Sequence, residues 1–175
     1  LASRGLLHQT LFLVRAEDAS AGLNRLREQL ARFGIVGQQL EKLSQEQVLC
    51  ADMTALDTVA LGPRLASITQ VLHCAALATF SNNPKIWVNN VDGTLALARA
   101  VQQHAKLQRW VQVGTAMCCG PGLTSPVRES WDAGLDDDSH LVPYTHSKLA
   151  VEIALKALPD FPLVVARASI VVGHS

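Results

Sequence analysis

Short apolar runs alternate with segments whose apolar residues recur every three or four positions. Thr10-Leu-Phe-Leu-Val-Arg15, Gln47-Val-Leu-Cys50, Gln70-Val-Leu-His-Cys-Ala75, Arg109-Trp-Val-Gln-Val-Gly114 and Pro162-Leu-Val-Val-Ala-Arg-Ala168 read as strands. Ser20 to Phe33 reads as a helix with Leu23, Leu26 and Leu30 on one face and a stop at Gly34. Ala55 to Ser67 reads as helical with a break at Gly62-Pro63. Pro84 to Ala105 is a long helix with Pro84 in its first turn, and Tyr144 to Leu158 is another. Between them, residues 116–143 form a loop rich in Gly, Pro and Asp, of a length usually tied to function or mobility.

Strand–helix alternation with nearly continuous apolar strands predicts an α/β chain with a parallel sheet covered on both faces. Right-handed crossovers then give a doubly wound, Rossmann-like fold. A length of 175 residues suits one domain. Hydrophobic residues make up 49% and charged residues 17%, below the usual quarter. That balance fits strands buried on both faces, or surface covered by more protein. Fifteen basic and fifteen acidic residues cancel, and no basic stripe points to nucleic acid or an anionic membrane. No apolar run approaches the roughly 20 residues of a membrane span. Leu1 to Gln9 has no charged start followed by an apolar stretch, so no secretory leader is read. Cys50, Cys74, Cys118 and Cys119 fit no zinc spacing. Three of them lie on or just after buried strands, as small hydrophobes would. A reducing, cytoplasmic setting is expected, with a vicinal redox pair at Cys118-Cys119 the minor alternative. The histidines show no ligand spacing, so no metal is expected.

The chemistry concentrates in Tyr144-Thr-His-Ser-Lys148, which holds the chain's single tyrosine. Four residues are about one helical turn, so phenol and ammonium share a face. A cation there favours the phenolate and suits the tyrosine to pass a proton near neutral pH. The spacing alone equally fits an amphipathic surface helix.

Five further segments, in order, make the chain resemble the extended short-chain dehydrogenase/reductase superfamily, and most of all its thioester-reductase and fatty-acyl-reductase branch. Tyr144 and Lys148 match the family's tyrosine–lysine pair. Val111-Gln-Val-Gly-Thr-Ala-Met-Cys-Cys-Gly120 is similar to its catalytic Ser/Thr strand and turn, which implies that Thr115 polarises the substrate carbonyl. The family often has Ser at Gly114 and Tyr at Met117. Val71-Leu-His-Cys-Ala-Ala76 resembles the strand whose backbone passes under the cofactor, implicating Cys74, Ala75 and Ala76. Asn90-Val-Asp-Gly-Thr94 matches a helix on which Asn90 holds the active-site backbone and Gly93 allows close packing. Asn89 is the rival, but Asn90 has the right spacing. Ala51-Asp52-Met-Thr54 resembles a segment whose Asp52 approaches the adenine; capping the next helix is the alternative for Asp52. Arg167-Ala-Ser-Ile-Val-Val-Gly173 resembles the segment along the nicotinamide, with Ala168 in place of the family's proline and Ser169 after it.

In such a fold the second strand ends beside the adenosine ribose, where an acid binds the 2′-hydroxyl and an arginine accommodates a 2′-phosphate. Leu13-Val14-Arg15 therefore favours NADP over NAD, although Glu17 and Asp18 follow closely. The family's Gly-rich phosphate loop and first strand are not found before Thr10. Leu1-Ala-Ser-Arg-Gly5 reads as the end of the helix after them, with Gly5 as its stop. Residues 1–175 are accordingly expected to be a partial dinucleotide-binding domain without its substrate lobe, from a larger enzyme, a multidomain one among the options. Strands Thr10–Arg15 and Gln70–Ala75 should then each have an unpaired edge.

The resemblance implies an NADPH-dependent reductase acting on an acyl thioester, carried by CoA or a carrier protein, or on an aldehyde or other carbonyl. The alternatives are an NAD-dependent sugar-nucleotide epimerase or dehydratase, a hydroxysteroid-type dehydrogenase, and a non-catalytic NADP-binding regulator. Trp131 in the long loop is a candidate for the substrate entrance, and Asp136-Asp-Asp138 reads as solvated loop.

Overall fold

The computed structural model describes residues 2–119, 126, 129–130 and 142–171. The chain divides into two compact units, one running to Asp57 and one starting at Thr58.

The first unit holds strands β1 (Phe12–Val14) and β2 (Val48–Cys50), paired in parallel with Leu13 opposite Leu49. Helix α1 (Ala19–Arg32) joins them through a short helix α2 (Gln38–Glu41). Asp18 caps α1 by accepting a hydrogen bond from the Ala21 N–H at 2.8 Å. The helix stops as its sequence demands. Gly34 takes a φ of 76°, and the Ile35 N–H reaches back to the Leu30 carbonyl. Leu7, Leu23, Leu43 and Val48 make the core of this unit. Ahead of β1, Ala2–Arg4 forms a 3₁₀ turn that ends at Gly5, with φ 67°, as expected of a stop signal.

The second unit holds a parallel sheet in the order β3 (Gln70–His73), β4 (Arg109–Thr115), β5 (Leu163–Ala168). Along β4, Trp110, Gln112 and Gly114 are buried. Trp110 is fully enclosed, with its ring against His73 and Phe161 and its indole N–H donating to Gln112. Leu72 and Val164, in register with Val111, stand 60% and 46% exposed on the alternate positions. Among the described residues, β1 pairs only with β2 and β3 only with β4, so each has the open edge that the pattern led one to expect.

The helices of this unit depart from the sequence pattern in two places. Helix α3 runs Thr58–Leu65 with Pro63 inside it, so Gly62-Pro63 does not break it. Near the end of so short a helix, a proline removes a single backbone donor. The start expected at Ala55 moves to Thr58, because Met53–Ala55 forms its own 3₁₀ turn. The long helix expected over Pro84–Ala105 is three consecutive pieces. These are α4 (Lys85–Trp87), a π-helical turn (Val88–Asp92) and α5 (Gly93–His104). Helix α6 (Pro143–Lys156) begins with Pro143 in its first turn. Most of the 116–143 segment, including Trp131 and Asp136–Asp138, lies outside the described residues, as does the end of the Arg167–Gly173 motif. Its first residues, Ala116–Cys119, form a 3₁₀ turn.

Candidate active site

In the second unit the parallel strands end at one edge of the sheet, β4 and β5 level with each other at Thr115 and Ala168 and β3 earlier, at His73 opposite Gln112. The carboxyl ends of such strands are where α/β sheets hold ligands. Thr115 is opposite Ala168 in register, and its hydroxyl oxygen accepts the Met117 N–H at 3.2 Å. That contact orients the hydroxyl and leaves its own proton free to be donated.

Tyr144 and Lys148 stand one turn apart on α6. Tyr144 is half-buried, with the Phe80 ring edge-on to it at 6.4 Å between centroids. Phe80 itself is 77% exposed. Lys148 is buried, 3% exposed. Burial lowers its pKa, while Glu152 and Cys74 draw it back up.

Asn90 joins these parts. It is buried in the π-helical turn, the kind of helix irregularity often found at functional sites. Its carboxamide accepts the Leu77 N–H at 2.7 Å and donates to the Leu77 carbonyl at 3.3 Å and to the Ser147 hydroxyl at 3.0 Å. Ser147, between Tyr144 and Lys148, in turn donates to the Tyr144 carbonyl at 2.8 Å. The strand-end segment and the Tyr–Lys helix are therefore held through one side chain. Asn89 instead bonds back to the Lys85 carbonyl on its own helix.

Strand β3 ends at His73, two residues short of expectation, and Cys74 and Ala75 follow it as exposed positions in irregular backbone. Cys74 is thus not a buried hydrophobe, although partial burial of its thiol raises its pKa against the pull of Lys148. His73 is enclosed; burial, with Lys148 nearby, lowers its pKa to about 4, so it is neutral. Its Nε2 lies 3.5 Å from the Thr94 hydroxyl. Ala168 is half-buried and Ser169 exposed at the end of β5.

Two residues singled out for the cofactor lie in the first unit. Arg15 is exposed just after β1, and Arg25 donates to its carbonyl at 2.8 Å, bringing a second guanidinium to that strand end. Asp52 caps the Met53–Ala55 turn by accepting from the Thr54 N–H and hydroxyl, contacts that hold its carboxyl below the usual range, with Arg15 adding to the effect. The capping alternative for Asp52 is therefore what the structure displays.

Glu152 was not foreseen. It is 1% exposed on α6, one turn beyond Lys148, and Arg167 grips its Oε2 with Nε at 2.9 Å and Nη2 at 2.8 Å. Arg167 also donates from Nη1 to the Ser130 carbonyl. Burial raises the pKa of Glu152 against the opposing pull of Arg167 and Lys148. Gly114 lies directly against Glu152 Oε1, so a Cβ there would collide with the carboxylate. Cys118, fully buried beside this cluster, has its thiol pushed up to about 12 by burial and by Glu152, so it stays protonated. The sequence signal for Glu152 was its spacing from Lys148 alone, which usually marks a surface pair.

The family described as "Male sterility protein", an NAD-binding family, matches residues 1–175. No curated protein matches significantly. Among solved structures, the terminal R domain from the myxalamid PKS-NRPS biosynthetic pathway is similar over 100% of this chain and 47% of its own, with a TM-score of 0.80 and 22% identity. A thiolation-reductase di-domain from an archaeal non-ribosomal peptide synthetase is similar over 90% of this chain and 34% of its own, with a TM-score of 0.67 and 20% identity. UDP-glucuronic acid 4-epimerase from Bacillus cereus, in complex with UDP-glucuronic acid and NAD, is similar over 74% of this chain and 41% of its own, with a TM-score of 0.57 and 26% identity. The chain spans about half the length, or less, of these structures. Parallel strands closing on an Asn-braced Tyr–Lys helix, together with a family match along its whole length, make this chain a member of the NAD-binding male sterility protein family, within the extended short-chain dehydrogenases/reductases.

Proposed function

We propose that this chain is the cofactor-binding part, residues 1–175, of an NADPH-dependent reductase that acts on acyl thioesters carried by CoA or a carrier protein. The observation that carries the reading is the Asn90 brace, which fixes the Tyr144–Lys148 helix against the segment after β3. Thr115, at the end of the neighbouring strand β4, offers its hydroxyl proton to the substrate carbonyl oxygen. Tyr144 gives its proton to that oxygen as negative charge builds there. Lys148 holds its charge beside Tyr144 and donates to the ribose hydroxyls.

The residues present fit a nicotinamide dinucleotide. Lys148 offers an amine on a buried side chain, and small side chains at Cys74, Ala75 and Ala76 leave the backbone open to close approach. Ala168 and Ser169 would flank the nicotinamide and Asp52 the adenine. NADPH supplies the hydride when bound. The acyl carbon takes the hydride and its oxygen takes the Tyr144 proton, giving a hemithioacetal that releases an aldehyde and a free thiol. Choice of NADPH over NADH rests on Arg15, with Arg25 beside it, as phosphate-binding guanidiniums. Of the two acids that would favour NAD, Glu17 and Asp18, Asp18 is engaged in capping α1. The likeness to a thiolation-reductase di-domain of a non-ribosomal peptide synthetase supports the substrate class. The epimerase structure, bound to NAD, favours a sugar-nucleotide alternative on the same Thr–Tyr–Lys set.

The test is NADPH oxidation by the full-length protein. Acyl-CoA or an acyl carrier thioester should consume NADPH and yield aldehyde, and Tyr144→Phe should lose at least about a hundredfold of that turnover while still binding NADPH. Epimerisation of a UDP-sugar without net NADPH loss would instead establish the alternative.

A further inference from the structure

We propose that Phe80 and Met117 are specificity-determining residues: together they form the apolar wall that receives the acyl group of the substrate. The inference rests on the proposed role of Thr115 and Tyr144 at the carbonyl oxygen. Each apolar residue adjoins one of those two groups. The Phe80 ring stands edge-on to the Tyr144 ring, with 6.4 Å between centroids and 83° between planes, the geometry of a direct aromatic contact. The Met117 N–H donates to the Thr115 hydroxyl oxygen at 3.2 Å, which places Met117 beside that hydroxyl. The two residues come from different segments, one following β3 and one following β4.

Both side chains remain largely open, Phe80 at 77% and Met117 at 52%. Exposed apolar side chains occur elsewhere, at Phe33 and Val36 for instance, and singly they mean little. Phe80 and Met117 differ in their contacts with the two groups that meet the oxygen. Nor is Phe80 on a loose stretch of chain. On one side, Asn90 binds both the N–H and the carbonyl of Leu77. On the other, Asn83 accepts the Lys85 N–H at the start of α4, and the adjoining Ile86 is fully buried. Between them, the Ser81 N–H donates to the Thr79 hydroxyl at 3.3 Å. A carbonyl oxygen lies about 1.2 Å from its carbon. With that oxygen held by Thr115 and Tyr144, the first carbons of the acyl chain pass close to both. The side chains waiting there are an aromatic ring and a thioether, with neither a charge nor a strong hydrogen-bonding group. Such a wall suits an alkyl chain, which gains by leaving water, and offers no partner to the hydroxyls of a sugar.

The experiment compares octanoyl-CoA with acetyl-CoA as substrates of the full-length protein, or the same two acyl groups on a carrier protein if CoA is not turned over. The wild-type protein should favour the octanoyl group in kcat/KM. Phe80→Ala should cut that preference by about tenfold, with a smaller cut in Met117→Ala and most of the preference restored in Phe80→Leu. Because Phe80 is exposed, its replacement leaves the core intact. A wild-type preference for acetyl, or a preference unchanged in both alanine variants, overturns the proposal. Equal loss on both acyl groups overturns it too and leaves Phe80 a support for the Tyr144 ring. Reduction of neither acyl group by the wild-type protein removes the proposed function and this inference with it; reduction with the preference unmoved by the substitutions removes this inference alone.

Discussion

Arg15 is one exposed cation at a strand end, yet the choice between two cofactors depends on it. Arg15→Ala in the full-length protein should weaken NADPH binding by roughly tenfold or more and leave NADH nearly unchanged, as loss of a charge-assisted contact to phosphate would. Calorimetric titration with both cofactors measures this, and equal losses would remove the 2′-phosphate assignment. Residues whose partners are close in sequence could be read directly. Asp52 caps the turn that follows it, one of its two readings, and Gly34 ends its helix in the left-handed region that glycine favours, whereas Asp18, read only as an acid near the ribose, caps α1. Glu152 could not be read this way. What makes it special is burial against Arg167, 15 residues later, and against Gly114 on another strand. Its neighbours from Leu149 to Leu155 are otherwise apolar and name no partner for it.

At the scale of elements, the apolar pattern located all five strands but not the irregularity that matters most. The apolar periodicity across residues 84–105 reads as one α-helix, whereas the chain makes a π-helical turn at Val88–Asp92. A local pattern cannot specify that turn, because its buried Asn90 makes contacts on two distant segments, at Leu77 and Ser147. Asn90→Ala should cost about 2–3 kcal/mol of stability, since it strands the buried Leu77 N–H and removes the link to Ser147. Denaturant unfolding of the variant checks this, and a loss below about 0.5 kcal/mol would show that the brace is dispensable. Turnover should fall further than stability alone explains, because α6 carries the Tyr–Lys pair. The break expected at Gly62-Pro63 failed for a converse reason. Propensity counted against a helix that needed only Thr58–Leu65 and lost one backbone donor.

Across the whole molecule, the low charge fraction goes with open strand edges and exposed apolar side chains among the described residues. β1 and β3 each have one described neighbour, and Leu72, Val164, Ile170 and Val171 are exposed. Among the described residues no helix is long and apolar enough to cross a membrane. The chain spans 47% of the R-domain structure and 34% of the thiolation-reductase structure that it resembles. The central claim is hydride transfer from NADPH to an acyl carbon at Thr115, Tyr144 and Lys148. Its most direct test uses NADPH deuterated at the transferable position of the nicotinamide, with the full-length protein and an acyl thioester. The account predicts one deuterium on the aldehyde carbon of the product, formed by the wild-type protein and not by Tyr144→Phe. Aldehyde formed without deuterium, or formed equally well by Tyr144→Phe, would contradict it.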